Sequence, residues 1–158
     1  MIFRKKVTVA DYCISTLTPL FSPQRENVWE ILRTECSDPH LDQIDKQAYF
    51  NNLRAIMLEL MLIAVTKQCE WSLSGDARVF VIGYLNEHGL SEIESLQAEY
   101  NRAFGRSSTD GVKQMVLLFD EKLTGTKVSA QTAQRFYVEF YAILSGFLDD
   151  FKRIRLVV

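Results

Sequence analysis

Residues 55–65 read A-I-M-L-E-L-M-L-I-A-V, and only Glu59 interrupts this apolar run. The run is too apolar for a surface helix with one wet face, and too short and too charged to span a membrane. It predicts a central helix that neighbouring helices enclose on several sides. A buried charge is costly unless it is paired, hydrogen-bonded or neutralised, so Glu59 is the residue that needs an explanation.

Helical periodicity extends along the whole chain, and no sustained two-residue alternation competes with it. We therefore predict an all-α fold, a single domain over residues 1–158 formed by six or seven helices, with no sheet. The pattern predicts a long central helix over about 39–68, long enough for a kink near residues 51–52, and a long C-terminal helix over about 130–155. These two helices carry the largest apolar faces, so we expect them to pack against each other.

Polar residues and glycines mark several of the helix boundaries. Ser74 or Asp76 is expected to cap the helix that follows the central one. Thr109 or Asp110 is expected to open a later helix that Gly125 closes, since glycine readily adopts the left-handed conformation at a helix C-terminus.

Composition limits the classes of function. The chain is 47% hydrophobic and 24% charged, as in ordinary globular proteins, and its net charge is −2. That charge gives no general attraction to nucleic acid or anionic lipid, so we expect no nucleic-acid partner. Since the apolar run is too short and too charged to cross a bilayer, we also expect no membrane span. Cys13, Cys36 and Cys69 are odd in number and form no C-x-x-C motif. With no signal peptide evident, they predict reduced thiols and a cytoplasmic location.

Two short basic segments lie near the two ends of the chain. Residues 4–6 read R-K-K, which resembles the start of a secretion signal, but Asp11 interrupts the apolar region that such a signal needs. We interpret this segment as a solvated charge cluster. Residues 152–155 read K-R-I-R and could touch a membrane surface or an acidic partner. We favour the interpretation that they complement the negative end of the last helix.

Asn52, Glu59 and Thr66 lie seven residues apart and so share one narrow face of the central helix. In one interpretation, this face lines a cleft and forms a ligand-binding site, where Glu59 has a raised pKa and binds a cation or moves a proton. In a second, the face simply meets solvent. In a third, Glu59 pairs with an arginine inside the bundle, such as Arg78 or Arg135. We favour the two structural interpretations, with solvent as the first expectation.

Motifs for metal binding and catalysis are missing. Asp38, His40, Asp42 and Asp45 have suitable side chains, but the chain lacks the Glu-x-x-His pairs of a di-metal bundle site and the His/Cys spacing of a zinc site. It also lacks a G-x-S-x-G motif and a phosphate-binding glycine loop. We therefore predict no metal and no cofactor, and we leave catalytic residues unassigned.

The last helix carries more aromatic side chains than one apolar stripe needs. Either a second helix of the same chain packs on them, or part of this face meets another subunit. Small residues next to the aromatic ones would allow a close helix crossing. The predicted partner interface consists of Tyr137, Tyr141, Ala142 and Gly146.

Together these features predict a non-catalytic protein–protein interaction or adaptor module of the cytoplasm. We expect it to self-associate through its last helix, as a homodimer or larger homo-oligomer, or to bind another protein. The alternative is a small-molecule-binding protein or an enzyme, with a pocket between helices that Glu59 organises.

Overall fold

The computed structural model describes residues 3–107, 109–125 and 128–158. Within these residues the chain forms eight helices and two short strands, which confirms the all-α prediction, with more helices than expected. In chain order the elements are β1 (Lys5–Thr8), α1 (Val9–Leu20), α2 (Pro23–Glu35), α3 (Pro39–Asp42), α4 (Lys46–Gln68), α5 (Trp71–Glu87), α6 (Ser91–Gly105), α7 (Gly111–Thr124), α8 (Ala130–Asp150) and β2 (Ile154–Val157).

Helix α4 is the centre of the fold, as the apolar run predicts. Every residue from 51 to 65 is buried, and α5, α6, α7 and α8 all pack against this helix. Among the described helices, α4 is also the one with the length and hydropathy to cross a bilayer, but 89% of its apolar window lies inside the protein. It is therefore the core helix of the bundle, and its contact with α8 confirms the predicted pairing of the two long helices.

The predicted central helix over about 39–68 is wrong at its N-terminal end, where the chain forms two helices. Asp38 caps the one-turn helix α3, and Asp45 caps α4 by accepting a hydrogen bond from the Ala48 N–H at 2.9 Å. A second capping aspartate favours a new helix start over continuation of the first. Helix α4 then runs without interruption through residues 51–52.

The C-terminal helix ends at Asp150, earlier than the predicted boundary near residue 155. The chain then continues into β2, which pairs in parallel with β1, so the prediction that there is no sheet is wrong. Lys5 aligns with Ile154 and Lys6 with Arg155. Neither strand alternates strictly between polar and apolar residues, since they read K-K-V-T and I-R-L-V, so no such pattern marks them in the sequence.

The capping residues predict α7 correctly and α5 incorrectly. Asp110 accepts a hydrogen bond from the Lys113 N–H at 3.1 Å, and Gly125 ends α7 with a left-handed φ of +63°. Helix α5, by contrast, begins at Trp71 rather than after Ser74 or Asp76. The first turn of α5 is largely exposed, with Trp71 at 90%, and no capping side chain marks its start.

Candidate functional site

The carboxylate of Glu59 is completely buried, at 0% exposure, and four hydrogen bonds surround it. Arg78 of α5 donates through Nη1 to Oε2 at 3.2 Å and through Nη2 to Oε1 at 3.1 Å. From α6, Gln97 donates to Oε2 at 3.3 Å and Asn101 donates to Oε1 at 2.6 Å. Each carboxylate oxygen therefore accepts two hydrogen bonds, and the guanidinium balances the charge.

This geometry decides between the interpretations of Glu59. Pairing with Arg78 is confirmed, and the expectation that the carboxylate meets solvent is wrong. Arg135 is not the partner, because it forms surface ion pairs with Glu35 at 3.1 Å and Glu139 at 3.3 Å. The physical reason is that α5 and α6 cover the polar face of α4 and provide donors opposite the carboxylate.

The other two residues of the polar face have separate partners. Asn52 accepts a hydrogen bond from the Tyr100 hydroxyl at 2.8 Å. Thr66 is exposed, and its hydroxyl lies 2.6 Å from that of Ser74. Seven residues of helix span roughly 10 Å, so Asn52, Glu59 and Thr66 line one seam of α4 without surrounding a shared cavity.

A cleft of about 210 Å³ opens above Glu59, between α5 and α6. Its lining comprises Glu59, Arg78, Ile82, Glu94, Gln97, Ala98, Asn101 and Arg102. Ligand pockets usually span about 300–1,000 Å³, so this cleft is small. Within the described parts of the chain, the buried Oε1 of Gln97 has no hydrogen-bond partner. This buried acceptor could take a hydrogen bond from a bound molecule without displacing another.

A second buried charge, Arg54, escapes the sequence analysis. Its guanidinium donates to Glu26 at 2.5 Å, to the Asn51 side chain at 3.2 Å and to the Leu20 carbonyl at 3.4 Å. The rings of Phe21, Trp29 and Phe50 lie 5.1 to 6.0 Å from it. Arg54 thereby joins α2 to α4. Arg54 directly precedes the apolar run in the sequence, and this position could have indicated that its charge is buried.

The acidic residues near α3 have structural roles. The buried Asp38 accepts hydrogen bonds from the Thr132 hydroxyl at 2.8 Å and from the N–H groups of His40 at 2.9 Å and Ser129 at 3.2 Å. Burial raises the pKa of Asp38, but these hydrogen bonds outweigh it and hold the pKa below its usual value. Among the residues that the structure describes, no group of three or more His, Cys, Asp or Glu side chains could hold a metal ion.

The three cysteines are free thiols in environments that suppress their reactivity. Burial raises the pKa of Cys13 to about 12. It also raises the pKa of Cys36 and of Cys69, although the nearby Arg135 and Arg4 act in the opposite direction. Because the thiolate is the nucleophile, these groups are poor candidates for covalent catalysis at neutral pH.

The predicted interface residues lie on the outer side of α8. Tyr141, Ala142 and Gly146 are exposed, while Tyr137 is half-buried and donates a hydrogen bond to Asp110 at 2.9 Å. That hydrogen bond raises the pKa of Tyr137. A Cβ placed on Gly146 would meet no atom within 4 Å. The small residues therefore do not serve a helix crossing within the described chain, and their role in a crossing between subunits stays a prediction.

A groove of about 220 Å³, here called the α2–α8 groove, lies beside this face. Its apolar side chains are Val28, Trp29, Ile31, Leu32, Met57, Phe140 and Ile143. Its charged residues are Arg25, Glu35, Arg135 and Glu139. Ala142 and Gly146 stand three and seven residues after Glu139, so they share its side of α8 and border the groove.

Comparison with known proteins adds no assignment, because no protein-family model, curated protein or solved structure matches this chain significantly. The geometry defines a helical bundle whose central carboxylate is fully paired.

Proposed function

We propose that this protein is a non-catalytic helical interaction module that forms a homodimer through the outer face of α8 and the adjoining α2–α8 groove. The observation that carries the proposal is the exposure of four large apolar side chains on these two helices. Val28, Ile31, Val138 and Tyr141 are each between 49% and 58% exposed. Val28 and Ile31 line the α2–α8 groove, and Val138 and Tyr141 lie on the outer face of α8, so exposed apolar side chains occur on both helices of the proposed binding surface.

The relation between ridge and groove favours a second copy as the partner. Val138 and Tyr141 form a ridge on the outer face of α8, and the groove lies on the side of α8 that carries Arg135 and Glu139. In a two-fold symmetric dimer, the ridge of each subunit can enter the groove of the other, so one contact is made twice. The groove is smaller than most ligand pockets but has room for protruding side chains. The methyl group of Ala142 and the absence of a side chain at Gly146 would let the second helix come close.

The charges around the groove also suit an interface. Arg135 bridges Glu35 and Glu139 at the edge of the apolar surface. Protein interfaces commonly have an apolar centre surrounded by a polar rim. Aromatic residues contribute much of the binding energy at such centres, which makes Tyr141 the side chain with the largest expected effect.

The chemistry of the buried groups argues against an enzyme. A general base needs a free lone pair, and the oxygens of Glu59 accept four hydrogen bonds between them. The thiols are held in the protonated form. Three free thiols also support the proposed cytoplasmic location, where cysteines stay reduced.

Sedimentation velocity over a range of micromolar concentrations tests the dimer. We expect the wild-type protein to dimerise, and Tyr141→Glu or Ile31→Glu to shift it to the monomer without altering its circular dichroism spectrum. Val79→Glu is the matched control, because Val79 is a largely exposed apolar residue on α5. A wild-type monomer at every concentration would contradict self-association. An equal effect of Val79→Glu would contradict the choice of surface.

A small-molecule site above Glu59 is a second candidate, and the unpartnered Oε1 of Gln97 is the observation that favours it. A ligand that donates an N–H group there could use the rim charges of Glu94 and Arg102, which form no ion pair within the described chain. Titration with amides and amino acids, followed by amide chemical shifts of residues 94–102, tests this candidate. An ordered water bound to Gln97 in a crystal structure would explain the acceptor without a ligand.

A further inference from the structure

The fold brings together two basic segments that lie far apart in the sequence. Pairing of β1 with β2 aligns Lys6 with Arg155 and places residues 3–8 beside residues 151–158. These two segments, here called the basic ribbon, contain six of the chain's 18 lysines and arginines and none of its 20 aspartates and glutamates. All six basic side chains are exposed. The chain as a whole has a net charge of −2, whereas the ribbon carries only positive side-chain charges.

Most of these charges are not neutralised. Lys152 and Arg153 form exposed ion pairs with acidic residues one turn earlier in α8. In the described ranges, no ion pair involves the other four basic residues of the ribbon, which are Arg4, Lys5, Lys6 and Arg155. Arg4 donates a hydrogen bond to the Phe151 carbonyl at 3.2 Å, which positions its guanidinium without cancelling its charge.

Two aromatic side chains project into solvent here, one at the start of the ribbon and one beside it. Trp71 is 90% exposed at the start of α5, and Phe3 is 88% exposed immediately before Arg4. Glu70 and Ser72, on either side of Trp71, line the same groove as Arg4. Tryptophan has an apolar ring and a polar N–H, which suits the boundary between lipid and water.

The groove between α5 and the ribbon combines cationic and apolar groups. Its volume is about 430 Å³, and Arg4 and Arg155 are its cationic residues. Leu73, Phe151 and Leu156 are among its apolar residues, and Glu70 is its acidic one. Positive charge beside an apolar groove matches an anionic amphiphile, which has both a charged head and an apolar chain. A polymer of phosphates would pair with the cations but would leave the apolar side chains without a partner.

We propose that the basic ribbon, together with Trp71 and Phe3, docks on the surface of an anionic lipid bilayer. The four free cations face the anionic headgroups, the aromatic side chains enter the headgroup region, and the acidic remainder of the protein stays in water. Each lysine or arginine near such a surface strengthens binding about fivefold. This docking surface is separate from the α2–α8 groove, so it does not depend on the proposed dimer.

Co-sedimentation with vesicles tests the proposal. We expect the wild-type protein to bind vesicles of phosphatidylcholine with phosphatidylserine, to ignore vesicles of phosphatidylcholine alone, and to dissociate as salt is raised. Lys6→Ala with Arg155→Ala should weaken binding about thirtyfold. The fold should tolerate this double substitution, because it removes two like charges that face each other across the strands. The control is Arg106→Ala with Lys113→Ala, which removes the same charge at the end of α6 and in the first turn of α7.

Tryptophan fluorescence gives a second readout. Trp71 is exposed and Trp29 is buried, so a blue shift on adding anionic vesicles reports Trp71 entering the headgroup region. Trp71→Ala should remove this shift and weaken binding. Binding to neutral vesicles with equal strength, or an equal loss of binding in the control variant, would overturn the proposal. Retention by a nucleic acid oligomer without vesicle binding would instead assign the ribbon to a phosphate polymer.

Discussion

Arg78→Ala tests whether Glu59 is held as an interior ion pair. The substitution removes two of the four hydrogen bonds to a fully buried carboxylate, as well as the cation that balances its charge. Gln97 and Asn101 would remain as neutral donors. Since an amide dipole compensates a buried charge less well than a guanidinium does, we expect a clear loss of stability.

The size of the loss follows from the exposure of the two partners. Breaking a fully buried pair costs about 3–5 kcal/mol. The Arg78 side chain is 33% exposed, so water can reach the vacated space, and this lowers the expected cost to about 2–3 kcal/mol. For a chain of this length, such a loss lowers the melting temperature by about 4–12 °C.

Urea unfolding followed by circular dichroism measures this difference. The control is Arg153→Ala, which breaks an exposed pair with Asp150 and should cost less than about 1 kcal/mol. Glu59→Gln and the double variant complete a mutant cycle, in which we expect a coupling energy of about 1–2 kcal/mol.

Two results would refute this account of Glu59. If Arg78→Ala costs no more than Arg153→Ala, the carboxylate is already solvated and the ion pair does not organise the core. If Glu59→Gln stabilises the protein, the carboxylate is kept at the expense of stability, which would favour the ligand-binding alternative over a structural role.

Three further predictions concern other buried groups. Arg54→Ala should lower the free energy of unfolding by about 2 kcal/mol, because it removes the hydrogen bonds and ring contacts that join α2 to α4, whereas Glu26 is 37% exposed and water can solvate it; a loss below about 1 kcal/mol in urea unfolding would contradict this. Asp38 has a lowered pKa, so its carboxylate stabilises the fold above its ordinary pKa of 3.8, and this contribution is lost as the pH falls through the lower pKa of the folded state. The difference in the free energy of unfolding between the wild type and Asp38→Asn should therefore become smaller as the pH falls below about 5. A difference that does not change with pH would contradict this role of the carboxylate. Cys13 should resist iodoacetamide until the protein unfolds, as mass spectrometry would show, and its labelling before the partly exposed Cys36 and Cys69 would contradict the buried, protonated thiol.

Much of the fold can be read from neighbouring residues, because helix formation depends on local spacing and caps. The apolar run around Glu59 predicts the core helix, and Asp110 and Gly125 predict the two ends of α7. Strand pairing does not follow from such signals, since β1 and β2 are far apart in the sequence and are brought together by the tertiary arrangement of the helices between them. The basic ribbon was therefore hidden in two segments that each look like an ordinary solvated cluster.

The candidate site shows the same division. The sequence alone determined that Asn52, Glu59 and Thr66 share one face of a helix, because the helical repeat fixes which residues align. Only the tertiary structure decided what covers that face, since Arg78 and the amides of α6 reach Glu59 through contacts between separate helices. The seven-residue repeat determines the side of α4 on which these residues lie, but it carries no information about what packs on that side. For the buried carboxylate of Glu59, the group that packs there is an arginine rather than water.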